Sequence, residues 1–494
     1  MKFCVTTPIY YINGEPHIGH AYASTAADIL ARFKRLDGYE VHFSTGTDEH
    51  GIKVARSAEK AQMEVQAFSD VMSKRFRDMS SLMKISYDDF IRTTEDRHIK
   101  ASQKLWTMIE KDIYKSSYKG WYDPRDEMFV NDSEIVNGIA PSGGKVEWME
   151  EESYFFKLSA YQDRLLDYYE SHPDFILPQS RRNEIISFVR SGLKDLCISR
   201  SKFSWGIPVP NAENHVMYVW IDALTNYLTS LGFPNDIEGA ESYFRECIHV
   251  VGKEILRFHA VYWPAFLMAA GLPLPKRIFA HGWWTSEGQK MSKSIGNVVN
   301  PFEIVEKYGL DCVRYFMMRE VRFGEDGDFS VEAIKKRISY DLANDLGNLV
   351  QRVLAFIQKL GGHMIPDYNF SDEEKVLFDH SRKLIGKLRP LMDNQDLSNA
   401  LSTIWELVAE SNKFVNDQKP WELAKQNDPK LYRVLTALCE AIKSIAFGIA
   451  PFMPDTARKI FDFINIEGTS FAEIEDKFSS QRFPKPVPLF LKSE

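Results

Sequence analysis

Apolar positions fall first into short unbroken runs and later into long helical stripes. Phe3 to Ile9 is an extended apolar run that reaches a turn at Asn13-Gly14. Pro16 then opens a helix over His17–Leu36, with an apolar face of Ala23, Ala26, Ala27, Leu30 and Phe33 that closes at Gly38. Val41 to Thr45 reads as a second strand, and a long helical stretch starts near Ile52. Strand, helix and strand of this size predict a parallel, right-handed βαβ unit. The pattern changes between Tyr114 and Ser204 to strand-like pieces, a Gly143-Gly144 turn and a helix around Tyr161–Ser171, which reads as an insertion. An α/β pattern resumes at Val216 to Ala223. It continues with a strand from Cys247, a helix over Ile255–Ala270 and an apolar run from Arg277 to Trp284. From Val331 on, the stripes predict helices over Val331–Leu360, Glu373–Met392, Leu397–Gln418 and Pro429–Ile449. Pro454 opens a last short one, and such segments joined by brief loops predict a bundle. Pro484 to Pro488 reads as an extended tail against the body.

The fold class expected is therefore α/β, a nucleotide-binding parallel sheet split by an insertion and followed by an α-helical bundle. The divisions fall at 1–115 for the first half of the sheet domain, 116–205 for the insertion and 206–284 for the second half. A loop-bearing region, 285–335, and the bundle with its tail, 336–494, complete the chain. At 494 residues several domains are expected.

Composition narrows the class. With 44% hydrophobic and 26% charged residues the chain has the make-up of a soluble globular protein. The apolar stretch Val261 to Leu274 holds Pro264, Gly271 and Pro273 and is too short to span a bilayer, so no membrane association is expected. The 5 cysteines are scattered with no CxxC pair, which points to reduced thiols in a cytoplasm-like compartment. A net charge of −8 argues against nonspecific coating of nucleic acid but not against a local path for one structured RNA. With no signal or transit pattern at the N-terminus, a cytoplasmic location is expected. With nothing appended after the bundle, so is a monomer.

Two stretches carry the chemistry. Thr7-Pro8-Ile9-Tyr10-Tyr11-Ile12-Asn13-Gly14-Glu15-Pro16-His17-Ile18-Gly19-His20 puts two imidazoles at a helix N-terminus, where backbone N–H groups and the helix dipole favour an anion. Gly19 offers room for a flat ring or a phosphate. Far downstream, Lys290-Met291-Ser292-Lys293-Ser294 lies in a loop with Gly282, Gly288 and Gly296 to let it move. Neither GxGxxG nor GxxxxGK[ST] occurs, which removes the common dinucleotide and P-loop readings. Activating a carboxylic acid with ATP needs donors around the α-phosphate and the departing diphosphate, and catalysis is then positioning plus electrostatic stabilisation. His17 and His20 facing Lys290 and Lys293 supply such donors from two sides.

On these residues the chain resembles class I aminoacyl-tRNA synthetases, whose two signatures match His17-Ile18-Gly19-His20 and Lys290-Met291-Ser292-Lys293-Ser294. Within that class it is similar, over essentially its whole length, to the methionine-specific family in its short, metal-free bacterial and organellar form. The resemblance implies a Rossmann-like catalytic domain, a connective-peptide insertion, a stem-contact region at 285–335 and an anticodon-binding bundle. It implies ATP with magnesium as co-substrate, His17, His20, Lys290 and Lys293 as catalytic residues, and His17, Gly19, His20 and Lys293 as ATP contacts. The implied methionine site is Ile9, Tyr11, Asp48, Trp220, Ala223, Leu224, Tyr227, Ile255 and His259, with Leu224 in place of a residue that is often proline. Asp48 pairs with the ammonium, while sulfur packs well on rings. Shape alone separates sulfur from methylene by only about 1–3 kcal/mol, so His259 and Tyr11 are expected to help.

In the bundle the resemblance implies that Asn348, Arg352 and Trp421 read the anticodon CAU of the methionine tRNA, the first two by hydrogen bonds and the third by stacking. Between Gly120 and Glu152 there are nine acids, two basic residues and neither cysteine nor histidine. Zinc-bearing members of the family carry cysteine pairs there. Without such ligands no structural zinc is expected, and Trp121, Phe129 and Trp148 must hold the segment by packing. Two other readings remain open. A synthetase for cysteine would want zinc ligands in its pocket, and one for leucine or valine a larger editing insertion. A catalytically dead RNA-binding relative would have no need of the intact histidines and lysines.

Overall fold

The structure, a computed structural model, describes residues 1–490 apart from 124–127, 131, 142 and 292–295. The side chains of Tyr118, Met128, Phe129, Ser133, Glu151 and Lys290 also lie outside the described part.

Six parallel strands form the central sheet, in the spatial order Asp89–Arg92, Glu40–Asp48, Lys2–Tyr11, Cys247–Gly252, Arg277–His281 and Ile176–Leu177. Helices cover both faces, which is why Lys2–Tyr11 and Cys247–Gly252 read as continuous apolar runs rather than alternations. The order reverses beside Lys2–Tyr11: earlier strands lie on one side and later strands on the other. At such a switch point the carboxyl ends of the strands open a crevice for ligands.

Most predicted elements are present, with informative shifts. The first helix spans Ile18–Leu36, with His17 as its cap rather than its first residue. The stretch from Ile52 is two helices, Ile52–Lys60 and Val65–Leu82. The run from Val216 to Ala223 is divided between a two-residue strand, Val216–Met217, and a helix, Val219–Thr229. The helix expected over Ile255–Ala270 is a 3₁₀ turn at Lys253–Ile255, a π turn at Phe258–Tyr262 and an α-helix at Trp263–Ala270.

The insertion is built on a four-stranded antiparallel sheet of Met128–Val130, Ile113–Asp123, Glu147–Phe156 and Leu196–Cys197. Trp121 and Trp148 do pack edge to face at 5.2 Å. Trp148 is nevertheless 59% exposed, so this is a surface pair. Among the described residues of the segment, Tyr122, Val130 and Ala140 are buried apolar side chains, and Arg200 lies 5.5 Å from the Tyr122 ring. The Phe129 side chain, expected to help, lies outside the described residues.

The C-terminal helices include Asp372–Asp393, Leu397–Gln418, Lys430–Ile449 and Pro454–Ile464, and the first three pack together as a bundle. The single helix expected over Val331–Leu360 is interrupted by a π segment, Ile338–Gly347, before resuming at Asn348–Lys359. The tail touches the body, with Pro486 buried and Pro484 O accepting from Gln358 Nε2 at 3.2 Å. Arg314, fully buried, joins the parts: it donates to Asp28 on the first helix at 2.7 Å, to Met83 O at 3.0 Å, and to Pro451 O and Phe452 O at 2.9 Å. All five cysteines are buried and unpaired with one another. Among the described residues no helix is long and apolar enough to cross a membrane.

Candidate active site

The first helix begins in the crevice beside the switch point. Gly19 N donates to His17 Nδ1 and His17 N donates to His20 Nδ1, each at 3.1 Å, so the two side chains cap the helix reciprocally. Their ring centroids lie 3.8 Å apart, the planes tilted by 32°. Because both Nδ1 atoms accept, the proton of each neutral imidazole sits on Nε2, which makes each ring a donor at a helix start that already favours an anion. The room expected at Gly19 for a ligand is taken by the protein itself. A Cβ there would lie 3.0 Å from His17 Cε1, so the missing side chain lets the His17 ring fold over the helix start.

The second stretch is suspended from this same region. Gln289–Lys290 pairs antiparallel with Trp284–Ser286, and Trp284 packs on Tyr22 of the first helix at 5.5 Å. Where the chain returns, Val299 O accepts from Ile18 N at 3.0 Å. The stretch that carries Lys290 thus re-enters the fold at the first residue of the His17 helix. Lys293, with Ser292 and Ser294, lies outside the described residues, as does the Lys290 side chain. At the end of strand Cys247–Gly252 the sequence reading missed a charged cluster. Lys253 pairs with Asp326 at 2.6 Å and lies 4.2 Å over the Trp283 ring, whose Nε1 donates to Glu254 at 2.6 Å.

Aromatic side chains gather beside the carboxyl ends of Lys2–Tyr11 and Glu40–Asp48. Strand register sets Tyr11 beside Asp48 and Ile9 beside Gly46. Trp220, Ala223, Leu224 and Tyr227 recur at the spacing of one helix face and share a hydrophobic cluster with Ile9, against which Tyr11 and Ile255 pack. The Trp220 ring stacks on Phe258 at 3.7 Å and meets Tyr11 edge-on at 6.4 Å and His259 at 6.1 Å. Phe258, invisible to the sequence reading, is the floor under Trp220. Asp48 is buried, as is His259, whose Nδ1 lies 2.9 Å from Ile255 O. A carbonyl can only accept, so Nδ1 carries the proton and Nε2 accepts from Tyr227 OH at 2.7 Å. Burial pushes the His259 imidazole down to about 4, which keeps it neutral. Trp220 Nε1 is buried without a hydrogen-bond acceptor among the described residues, a donor that a bound ligand can satisfy.

The third group stands far away on the bundle. Asn348 and Arg352 share one exposed face of Asn348–Lys359, and Arg352 Nη2 donates to Asn416 Oδ1 at 2.8 Å. Lys419 takes a left-handed conformation, φ 44°, and turns the chain into the short helix Pro420–Lys425. This presents Trp421, 37% exposed, with the Arg352 guanidinium 5.8 Å from its ring centroid. Asn416 is a neighbour that sequence spacing did not single out. Among the described residues no three His, Cys, Asp or Glu side chains are grouped so as to hold a metal ion.

Comparison with known proteins gives these clusters a family context. Residues 3–145 and 134–354 match the family described as tRNA synthetases class I (M), and residues 365–485 match the anticodon binding domain of methionyl tRNA ligase. The methionine–tRNA ligase of Brucella suis is 50% identical over 501 residues, covering 99% of this chain and 97% of the relative. That of Rickettsia conorii is 48% identical over 471 residues, covering 94% and 93%. Mycobacterium tuberculosis methionyl-tRNA synthetase in complex with methionyl-adenylate superposes with a TM-score of 0.96 at 47% identity, over 99% of this chain and all of that one.

Proposed function

Since the chain belongs to the methionyl-tRNA synthetase family of class I, we propose that its three clusters divide the labour of that reaction among activation, amino-acid selection and RNA reading. The enzyme ligates L-methionine to tRNA through methionyl-adenylate, with release of AMP and diphosphate. In the first step the methionine carboxylate attacks the α-phosphate of ATP and diphosphate leaves. In the second, a ribose hydroxyl at the tRNA 3′ end attacks the activated carbonyl and AMP leaves.

Asp48 accepts the substrate ammonium, while Ile9, Tyr11, Trp220, Ala223, Leu224, Tyr227, Ile255 and His259 enclose the thioether. A neutral, already hydrogen-bonded His259 adds polarity without charge, which suits sulfur and disfavours an ionised side chain. His17 and His20 donate from Nε2 to the phosphates at the helix start. Lys290 and Lys293 stabilise the charge that builds up as diphosphate departs. Gly19 acts through the His17 ring. Imidazoles and lysines suit the phosphates rather than a hard cation, so magnesium would come bound to the nucleotide and would supply neutralisation of phosphate charge. Asn348 and Arg352 read base edges of the CAU anticodon and Trp421 stacks on a base. We further propose a cytoplasmic monomer without structural zinc, partitioned as 1–115, 116–205, 206–284, 285–335 and 336–494.

The observation that carries this reading is the adjacency of Tyr11 and Asp48 in strand register, with the Trp220 ring edge-on to Tyr11 and to His259. Methionine-dependent exchange of diphosphate into ATP tests it. Exchange driven by another amino acid but not by methionine would overturn the pocket, and none with any amino acid would favour an RNA-binding scaffold. Charging of transcripts that differ only at CAU tests the anticodon assignment.

A further inference from the structure

We propose that Asp222 is a positioning residue for amino-acid activation, tying the loop that carries Asp48 to the helix that carries Trp220, Ala223, Leu224 and Tyr227. It thereby sets the distance between the carboxylate that meets the ammonium and the walls that meet the thioether. The inference rests on the reading of Asp48 and Trp220 given above.

Asp48 ends strand Glu40–Asp48, and the next two residues are anchored in different directions. Glu49, fully buried, is held to the sheet side. It accepts from Arg92 at 2.7 and 3.0 Å, from Thr94 at 2.6 Å and from Thr47 at 2.7 Å, and its own N–H donates to Thr93 Oγ1 at 2.9 Å. His50 is held to the other side, with Nδ1 2.7 Å from Asp222 Oδ2. The second carboxylate oxygen of Asp222 meets His98 Nε2 at 2.8 Å, and His98 Nδ1 lies 3.0 Å from Thr229 Oγ1, back on the helix of Asp222. Two partners stand on one oxygen each, so three elements meet at a single carboxylate: the Asp48 loop, helix Asp96–Ile109 and helix Val219–Thr229.

Asp222 does not share the pocket face. Trp220, Ala223, Leu224 and Tyr227 follow the spacing of one stripe, and Asp222 falls between them on the far side of the helix. It acts on substrate only through what it holds. A carboxylate that is 1% exposed is costly to bury and is stable only while its donors stay in place. Burial works against the charged form of Asp222, and the two imidazoles outweigh it and hold the carboxyl below the usual carboxylate range. Buried inside the wall, the bridge cannot trade its partners for water when the loop moves. The Asp48 loop and the Trp220 helix therefore share one fixed spacing. A displacement of about 1 Å at a reacting site costs on the order of 100-fold in rate.

The test is a double-mutant cycle read by diphosphate exchange. Asp222→Asn keeps the volume and replaces one acceptor oxygen with a group that cannot accept from an imidazole. It is expected to raise KM for methionine about tenfold while KM for ATP changes less than about twofold. In an Asp48→Asn background the same change is expected to raise KM by less than about twofold, because a residue acting through Asp48 then has little left to position. An equal rise in both backgrounds, or no rise in the single variant, would overturn the proposal. If Asp48→Asn itself left KM unchanged, the reading of Asp48 would fall and the proposal with it. Should Asp222→Asn not fold, His98→Asn removes the outer half of the bridge. A rise of about threefold in KM for methionine is expected there, and an unchanged KM would overturn the proposal.

Discussion

Trp220 and Trp421 are both proposed to hold a ligand, yet their surroundings are opposite. Trp220 is 7% exposed and stacked on Phe258 at 3.7 Å, inside a hydrophobic cluster that runs from the central sheet into the insertion. Trp421 is 37% exposed on a six-residue helix, with Arg352 alongside at 5.8 Å. A small apolar side chain is selected by displacing water from a dry, shaped cavity, so its site must be part of the core. A base is selected by stacking on an open ring face, so its site must not be. The pocket is therefore coupled to stability and the RNA-reading patch is not.

Stability changes give the widest separation. Trp220→Ala is expected to cost about 3–5 kcal/mol of folding stability, as for a large core aromatic, while Trp421→Ala stays within about 1 kcal/mol. Denaturant titration of the two variants checks this, and similar losses would erase the contrast. Next comes Asp48→Asn, expected to lower kcat/KM for methionine in exchange by about 30-fold or more, the 2–5 kcal/mol typical of a buried charged partner.

A pH series separates the regions by about 3 kcal/mol at most. His259 ordinarily titrates near 6.5 and here near 4, so below 6.5 the unfolded chain binds a proton that the native pocket refuses. Its contribution is intact above about pH 6.5 and is lost progressively down to about pH 4. His249, buried beside Tyr227, is pushed in the same direction. Melts at pH 7, 5.5 and 4.5 should show a shallower decline in His259→Gln than in the unaltered protein, and equal slopes would count against a neutral His259. The smallest effect is expected on the exposed side. Arg352→Gln should lower charging by the about 1–3 kcal/mol of one base contact and leave exchange unchanged.

The two regions also differed in how far they could be read in advance. Leu397–Gln418 was legible to the residue because a strong apolar stripe runs between clear breaks. Val216 to Ala223 was not, since a run buried on all sides has no period to tell strand from helix. The π segments at Phe258–Tyr262 and Ile338–Gly347 were missed for a related reason: one extra residue per turn barely disturbs an apolar stripe. Motif spacing brought His17 and His20 together, but their shared tautomer depends on which backbone amides reach Nδ1, and that exists only in three dimensions. Asp222, separated by 172 positions from His50 and by 124 from His98, carries no local signal at all. Asn416 on the bundle is the same case, found only because Arg352 bonds to it.

The buried pocket and the exposed patch are expected to work independently of each other. The direct measurement is diphosphate exchange and tRNA charging side by side in Trp421→Ala. The predicted result is exchange within about twofold of the unaltered enzyme and charging reduced by about 10- to 100-fold, as loss of one stacked base implies. Equal loss of both activities would contradict it.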